Sequence, residues 1–310
     1  MQLRNTHPFA QRGKALTAAV VAALAATSAA IYLQDEPRAA TAATRFVGPT
    51  SSQPMALSGD NAFLAVVNPD NNSVSFFDVR ADKNRKLAEV PVQMEPNGVV
   101  FTPDGRKVYV ANTVSGTVSV IKANLANGVI GRPTQNIRVG TEPYGLALTP
   151  NGKKLYVTNA RSNSVSVIDT ATDTVIKTIV ADVGFEPRGI AISNNGDAND
   201  NDETVYVTQF LSLPVAGKVD GQDDAKVGHV TVISTATDTV LADTVLNPIP
   251  DTGFLALGDA IARIPPGAAT DPANFKFITG AYPNQLNNIA IKGNFAFVPN
   301  TGASPNGPFR

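Results

Sequence analysis

The sequence contains no cysteine and has histidine at only two positions, His7 and His229. Without cysteine, these 310 residues cannot form a disulfide, a thiolate nucleophile, a cysteine-ligated zinc site or a c-type haem attachment. His229 stands at the start of a predicted strand, and no second histidine follows the leader to complete a metal or catalytic set. We therefore predict no catalytic residue in this chain.

Charged residues are also scarce, at 16% of the chain, and the formal net charge is −1. A net charge this close to zero gives no general attraction to nucleic acid, so nucleic acid is not an expected partner. The sequence also lacks a Gly-x-Ser-x-Gly elbow and a phosphate-binding loop, because Gly145 and Gly152 lie in predicted hairpins rather than before a helix.

What the sequence has instead is a repeated four-strand unit. The best-formed copy spans residues 142–180, where four short segments rich in Val, Ile, Thr and Tyr are each closed by a turn signal. Such segments predict an antiparallel four-stranded meander. An Asn or Gln ends the second strand of each copy at positions 68, 112, 159, 209 and 300, so the first three steps are 44, 47 and 50 residues. A period in the forties with four strands per repeat predicts a β-propeller.

The best copy also matches a known repeat. Tyr156-Val-Thr-Asn159, followed by Asn-Ser-Val-Ser-Val-Ile-Asp-Thr-Ala-Thr at residues 163–172, closely resembles the YVTN β-propeller repeat family. The resemblance covers residues 53–300 with gaps. The chain departs from the family pattern at three positions: Lys122, Gln209 and Pro299. The resemblance implies an all-β propeller of four-stranded antiparallel blades and a surface-layer or secreted bacterial protein.

Residues 1–42 are predicted to be a signal peptide and leader. Basic residues near the start precede an uncharged, alanine-rich run and then small residues, which is the pattern of a secretory signal. The alternative is an uncleaved anchor helix, since the run is long enough to span a bilayer. In either case the propeller is expected in the periplasm, on the cell surface or in the medium. Membrane contact is expected only through an uncleaved N-terminal segment.

Residues 43–310 are predicted to hold about four complete blades and a partial fifth, with insertions at 210–228 and 247–281. The apolar residues of the second insertion suit either a lid over a binding site or edge packing, with a short helix near residues 257–263. The chain ends inside its fifth unit, and natural propellers avoid an unpaired blade edge. The sequence therefore predicts an N-terminal fragment of a longer protein, or a ring that another chain closes.

The candidate ligand site is the start of each first strand. In a propeller the first strand lines the central channel, and loops at one end of the channel form the usual binding site. Glu and Pro recur at this place, whereas the residue after Pro varies, which is where a ligand site would be built. The alternative is that these are solvated loop residues. The candidate residues are Glu95, Asn97, Glu142, Tyr144, Glu186, Arg188 and Asn284.

A second candidate site is the acidic loop of residues 194–203. Oxygen-bearing side chains alternate there as in a calcium loop, at Asp197, Asn199, Asn201 and Glu203. The loop lacks the expected glycine at its sixth position and the glutamate at its twelfth, so a solvated acidic turn is the alternative. Calcium is the only cofactor that these residues suggest. Haem would require a cytochrome domain beyond Arg310.

Two functions fit these observations. The first is an exported, non-catalytic propeller scaffold that binds a protein or a cell-surface polymer through its channel-mouth loops. The second is the propeller part of a periplasmic redox enzyme, or of a cytochrome-fused electron-transfer protein, whose catalytic or haem residues lie beyond Arg310. Because the sequence offers no catalytic set, we expect binding rather than catalysis.

Overall fold

The computed structural model describes residues 51–52, 54–82, 84–180, 183–197, 199–219, 221–253, 255–257 and 276–305. The predicted signal segment lies outside the described residues, as does the helix predicted near residues 257–263 except for Leu257. Within the described residues, no helix is long and apolar enough to cross a membrane.

Four antiparallel sheets of four strands follow one another along the chain, and we number them blades 1 to 4. A two-residue strand, β1 (Ser51–Ser52), precedes them. Blade 1 consists of β2 to β5: Met55–Leu57, Phe63–Asn68, Ser73–Asp78 and Arg85–Pro91. Blade 2 consists of β6 to β9: Pro96–Phe101, Lys107–Asn112, Thr117–Asn124 and Val129–Arg138. Blade 3 consists of β10 to β13: Pro143–Leu148, Lys154–Asn159, Ser164–Asp169 and Thr174–Ile179.

Blade 4 carries the first insertion between its second and third strands. Its first two strands are β14 (Pro187–Ile192) and β15 (Thr204–Gln209). Its outer strands are β17 (Lys226–Ser234) and β18 (Thr239–Leu246). Within the insertion, β16 (Leu213–Pro214) pairs with the start of β17. Single 3-10 turns occur at Pro69–Asn71, Arg80–Asp82, Leu125–Asn127 and Asp200–Asp202.

Short strand pairs follow blade 4. In the second insertion, β19 (Leu255–Leu257) pairs with β20 (Lys276–Ile278). The fifth unit contributes β21 to β24: Tyr282–Asn284, Ala290–Lys292, Phe295–Phe297 and Thr301–Ala303. Within it, β21 pairs with β24 and β22 pairs with β23. The predicted fold class is confirmed: the protein is all-β and built from four-stranded antiparallel blades.

The hydrophobic core lies between blades rather than within one sheet. Alternate residues of a strand face opposite sides of its sheet, so each blade offers one apolar face to each neighbour. Between blades 2 and 3, Val118 and Val120 of β8 share a cluster with Leu155 and Val157 of β11, and all four are fully buried. Burial of one such side chain contributes about 2 kcal/mol. Repeated blades are therefore needed to cover one another.

The Asn that ends a second strand holds the third strand in place. In blade 3, Asn159 Nδ2 donates to the hydroxyls of Ser164 (3.1 Å) and Ser166 (3.0 Å). Equivalent pairs of bonds are made by Asn68 and Asn112. In blade 4 the longer Gln209 makes one bond of this kind, to Thr231 at 3.4 Å. This geometry explains why Asn recurs at the end of the strand.

A polar contact joins neighbouring blades near the outer turns, and we call it the clasp. Asp238, in the β17–β18 turn of blade 4, accepts hydrogen bonds from Lys154 Nζ (2.8 Å) and from the Tyr156 hydroxyl of blade 3. The clasp between blades 2 and 3 has the same composition: Lys107 (2.7 Å) and Tyr109 (2.6 Å), both donating to Asp173. Burial and the hydrogen bond to the aspartate raise the pKa of both tyrosines far above its ordinary value.

Blades 1 and 2 meet without a clasp. Phe63 and Ala65 occupy the positions that Lys107 and Tyr109 occupy in the next blade. The contact is aromatic instead, because Phe76 of blade 1 packs edge-on against Phe101 of blade 2 with ring centroids 6.2 Å apart.

The strand β1 joins the inner edge of blade 3. Ser51 pairs with Ala147 and Ser52 pairs with Leu146, antiparallel to β10. The first strands of successive blades contact one another and form the inner layer around the channel. The strand that precedes blade 1 is thus held on the channel side of blade 3.

Candidate functional site

The first strands of blades 2, 3 and 4 each follow a glutamate whose backbone is left-handed. Glu95, Glu142 and Glu186 have φ values of 55°, 54° and 46°. Their carbonyl oxygens accept from the backbone N–H groups that follow each second strand, at Thr113 (2.9 Å), Ala160 (2.9 Å) and Phe210 (3.0 Å). A side chain at such a φ costs roughly 1–2 kcal/mol, and the surrounding hydrogen bonds hold it there. These residues therefore form the turn at the channel mouth.

The fifth unit starts three residues later than its sequence suggests. Gln285 carries the corresponding positive φ of 53°, and the next residue, Leu286, donates its N–H to Phe210 O (3.0 Å). Asn287, rather than Asn284, follows in the place of Tyr144. Asn284 lies in β21, where its Oδ1 accepts from Ser212 N at 3.1 Å. The Pro-Asn pair at 283–284 has the sequence of a first-strand start, but the positive φ lies at Gln285. Leu286 therefore takes the place that proline has after the positive-φ residue in blades 2 to 4.

Arg188 lies between two aromatic rings at the mouth. Its Cζ is 3.6 Å from the ring centroid of Phe210 and 5.2 Å from that of Tyr144. Both distances are within the range of cation–π attraction, and stacking fixes the plane of the guanidinium. A rigid, planar donor group therefore lies beside two aromatic faces.

Two glutamates and a second arginine surround Arg188. Arg188 Nη2 is 3.8 Å from Glu186 Oε2, and Arg161 Nη1 is 3.3 Å from Glu186 Oε1. Arg161 Nε is also 3.7 Å from Glu142 Oε1. These pairs are partly exposed, so each contributes little to stability. Their formal charges cancel. We call this group the mouth cluster: Glu142, Tyr144, Arg161, Glu186, Arg188 and Phe210.

Two predicted residues adjoin the mouth cluster without entering it. Asn97 Nδ2 donates to Thr113 Oγ1 at 2.8 Å, and Thr113 Oγ1 donates to the carbonyl of Pro143, next to Tyr144. The Glu95 N–H donates to Asn72 Oδ1 at 2.8 Å. The structure thus brings together Glu142, Tyr144, Glu186 and Arg188.

Arg161 and Phe210 were missed in the sequence. Both lie just after a second strand, in the turn that meets the first strand of the next blade. The residue after the strand-ending Asn or Gln varies between copies: Thr113, Ala160 and Phe210. Variation at this second repeated position was the signal that could have identified Phe210, whereas Arg161 lies one residue further on.

The side chains of the acidic loop hold the loop itself. Glu203 is buried and accepts from Ser193 Oγ (2.6 Å) and Asn195 N (3.0 Å). Asp197 Oδ1 accepts from Asn199 N (2.7 Å), and Asn199 Oδ1 accepts from Asn201 N (3.2 Å). In the described part of the chain, no group of three His, Asp or Glu residues is placed to hold a metal ion. Calcium at this loop stays a prediction.

His229 lies on β17, level with the end of β15 that leads to Phe210. It lies near the start of β17, and its Nδ1 is 2.6 Å from Asp243 Oδ2 on the neighbouring strand β18. Each residue thereby has a partner on the neighbouring strand.

Comparisons with known proteins place these features in a family context. A family model described as "Lactonase, 7-bladed beta-propeller" matches residues 17–144. Over those residues, the chain is similar to lactonase propellers. The matched residues are less than half of the chain and end at Tyr144 in the mouth cluster. No curated protein matches the sequence.

Solved structures are similar to this chain at low sequence identity. Kuenenia stuttgartiensis hydrazine synthase is 20% identical with a TM-score of 0.50, covering 81% of this chain and 66% of its own. A candidate 6-phosphogluconolactonase from Bacteroides uniformis is 16% identical with a TM-score of 0.47, covering 82% and 72%. The periplasmic gluconolactonase of Pseudomonas aeruginosa is 19% identical with a TM-score of 0.45, covering 62% and 53%. The chain therefore spans less than two thirds of the hydrazine synthase and of the periplasmic gluconolactonase.

Proposed function

We propose that this chain is an exported β-propeller that binds a polyhydroxylated ligand, such as a sugar, a sugar acid or a cell-surface polysaccharide, through the mouth cluster. The observation that carries the proposal is the position of Arg188 between the rings of Tyr144 and Phe210, beside Glu186. Export rests on the composition of residues 1–42, which is that of a secretory signal.

The composition of the mouth cluster favours such a ligand. Hydroxyl groups both donate and accept hydrogen bonds, so they suit carboxylates and guanidinium groups placed side by side. The apolar face of a sugar ring suits an aromatic side chain, and Tyr144 is partly exposed. Because the charges of two arginines and two glutamates cancel, the cluster does not require a strongly charged ligand. The similarity to lactonase propellers over residues 17–144 also supports a lactone, or the hydroxy acid that its hydrolysis yields, as the ligand class.

The test is calorimetric titration with D-gluconate. Tyr144→Ala and Arg188→Ala should each weaken binding at least about ten-fold without lowering the thermal unfolding temperature. Arg106→Ala is the matched control, because Arg106 is an exposed arginine at the opposite end of its blade. Equal loss of binding and thermal stability in both mouth variants would assign Tyr144 and Arg188 a structural role instead.

A lactone hydrolase is the second candidate, and the lactonase family model favours it. Hydrolysis needs a base for the attacking water and a cation for the carbonyl oxygen, and Glu186 and Arg188 lie 3.8 Å apart. Acid release from D-glucono-1,5-lactone would measure this activity. An enzyme should lose turnover in Glu186→Gln while still binding gluconate.

The redox alternative would depend on residues outside this chain. These 310 residues contain no cysteine and only one histidine after residue 7, so they cannot attach a c-type haem or build a histidine-rich metal centre. A protein or polymer partner at the mouth stays within the first proposal, since the same side chains would bind it.

A further inference from the structure

Blade 4 leaves one part of its face open where blades 2 and 3 are covered. Tyr109 and Tyr156, the clasp tyrosines of blades 2 and 3, are both 0% exposed. The neighbouring valines on their third strands, Val120 and Val167, are also 0% exposed. The equivalent residues of blade 4 are Tyr206 and Val232, which pair in the same register, and both are partly exposed.

The difference has a clear physical cause. In blades 2 and 3 the cover is the outer half of the next blade, whose turn supplies Asp173 or Asp238 to the clasp. Among the described residues, the hydroxyl of Tyr206 has no hydrogen-bond partner, and Thr204 stands in the place of the clasp lysine. Tyr206 therefore occupies the donor position of a clasp whose acceptor is missing from the described residues.

The inner half of the same face is already covered. Leu286 and Ile289 of the fifth unit are buried against Ala191 and Val230 of blade 4, and Tyr206 packs at the border of this cluster. The open area is thus a continuation of an established blade–blade interface. Ile291 of β22 and Val298, the residue after β23, pack against the same cluster as Tyr206. In the described part of the chain β23 pairs only with β22, so its other edge has backbone groups available for pairing.

We propose that this open face, formed by Thr204, Tyr206 and Val232 beside the edge of β23, binds a β-hairpin of another polypeptide. A strand is the structure that satisfies a row of backbone N–H and C=O groups at an edge, so the first strand of the hairpin pairs with β23. Its apolar side chains cover Val232. Its turn carries an aspartate or asparagine that accepts the hydroxyl proton of Tyr206, as Asp238 does for Tyr156.

The probe is a synthetic peptide of residues 163–180, which contains the third and fourth strands of blade 3 and Asp173. We expect one peptide to bind per chain and to raise the thermal unfolding temperature of the whole protein. Tyr206→Phe, which removes only the hydroxyl, should weaken binding about ten-fold. A peptide with Asp173→Ala should bind the wild-type chain about ten-fold more weakly as well. When both changes are combined, the affinity should fall little further than with either change alone, because both remove the same hydrogen bond.

Tyr156→Phe is the matched control, because the Tyr156 hydroxyl is already bonded within the chain. It should lower the unfolding temperature without changing the affinity for the peptide. Val232→Lys provides a second test of the surface, and it should abolish binding by placing a charge on the face that the hairpin covers.

Three results would overturn the proposal. The first is no binding of the peptide to the wild-type chain. The second is equal binding to wild type, Tyr206→Phe and Val232→Lys, which would place the peptide elsewhere. The third concerns Ala269-Thr-Asp271, which repeats the Ala-Thr-Asp of both clasp turns and lies outside the described residues. If Asp271→Asn lowers the unfolding temperature as much as Asp238→Asn and lets the peptide bind more tightly, this chain supplies its own cover.

Discussion

Glutamate is an unusual residue for a backbone position with positive φ. Glycine or asparagine would adopt the left-handed conformation at lower energy, yet Glu95, Glu142 and Glu186 all hold it. The fixed backbone explains why the turn recurs, but it does not require a carboxylate. In Glu142 and Glu186, the side chain supplies the acidic half of the mouth cluster.

Replacing one of these residues by glycine separates the two roles. In Glu142→Gly the turn keeps its conformation, so the free energy of unfolding should change by no more than about 1 kcal/mol, as relief of strain offsets the added freedom of the unfolded chain. Binding of gluconate should weaken, because the carboxylate that faces Arg161 is gone. Calorimetry measures both quantities.

Gln285→Gly is the control for this change. Gln285 has the same positive φ, and its side chain makes no hydrogen bond or ion pair with the mouth cluster among the described residues, because its Oε1 accepts from Thr301 Oγ1. It should reproduce the stability change of Glu142→Gly without affecting binding. Weakened binding in both variants would contradict a specific role for the Glu142 carboxylate.

The sequence was sufficient to identify those residues of the candidate site that directly follow a recurring Glu-Pro pair. Tyr144 and Arg188 were found in this way, since the repeat makes their variation visible. Arg161 and Phe210 were not found, because they follow the second strands of blades 3 and 4, away from the recurring Glu-Pro pairs. Asn284 was placed at the mouth on the strength of the Pro before it, whereas Asn287 occupies that position in the structure.

Blades 2, 3 and 4 are joined by the clasp, which combines an ion pair with a buried phenol. Burial raises the pKa of Tyr156, and the hydrogen bond to Asp238 raises it further. In the unfolded chain tyrosine ionises near pH 10, whereas in the folded chain it stays protonated well above that. The stabilisation by each clasp is therefore fully present below about pH 10 and is lost as the pH rises further.

Tyr156→Phe tests this account of the clasp. At neutral pH it should lower the free energy of unfolding by about 1–3 kcal/mol, because Asp238 loses a hydrogen bond in a buried setting. Its stability should then fall less steeply than that of wild type above pH 10. Thermal unfolding across the alkaline range measures the slope.

Tyr206→Phe is the comparison at neutral pH. Tyr206 is partly exposed and has no clasp in the described part of the chain, so losing its hydroxyl should lower the free energy of unfolding less than Tyr156→Phe does. If Tyr156→Phe and wild type lost stability in parallel above pH 10, the clasp would not be the source of the alkaline sensitivity.

Strand composition and turn residues were enough to predict all four strands of blade 3, because each of its short segments is closed by a turn signal. The two-residue strand β1 could not be predicted, since its only signal is a partner in a distant blade. The short strands of the fifth unit also differ from the regular pattern, with β21 pairing with β24 rather than with the strand that follows it.

At the scale of the whole molecule, successive blades are joined by interfaces of different chemistry. Blades 2, 3 and 4 are joined by clasps, whereas blade 1 meets blade 2 through Phe76 and Phe101. The repeat period predicted the order of the blades. It did not predict which interface would be polar, because that depends on a lysine, a tyrosine and an aspartate in two different copies.

Phe101→Ala should therefore loosen blade 1 more than the others. Phe101 is 6% exposed, and truncating a buried phenylalanine costs about 3–5 kcal/mol. Hydrogen exchange should accelerate in β3 and β4 of blade 1 and remain slow in β12 of blade 3. Uniform acceleration across all blades would show instead that the ring opens as a single unit.

The pairing of β1 with β10 also bears on the timing of synthesis. Ser51 emerges from the ribosome long before Ala147, its partner in blade 3. Blades 1 and 2 can form from contacts within themselves, but this early strand must wait until the third blade exists. Ser51 and Ser52 therefore lack this partner during the whole interval in which the first two blades are made. A protease meets these two residues unpaired only in that interval, before blade 3 exists.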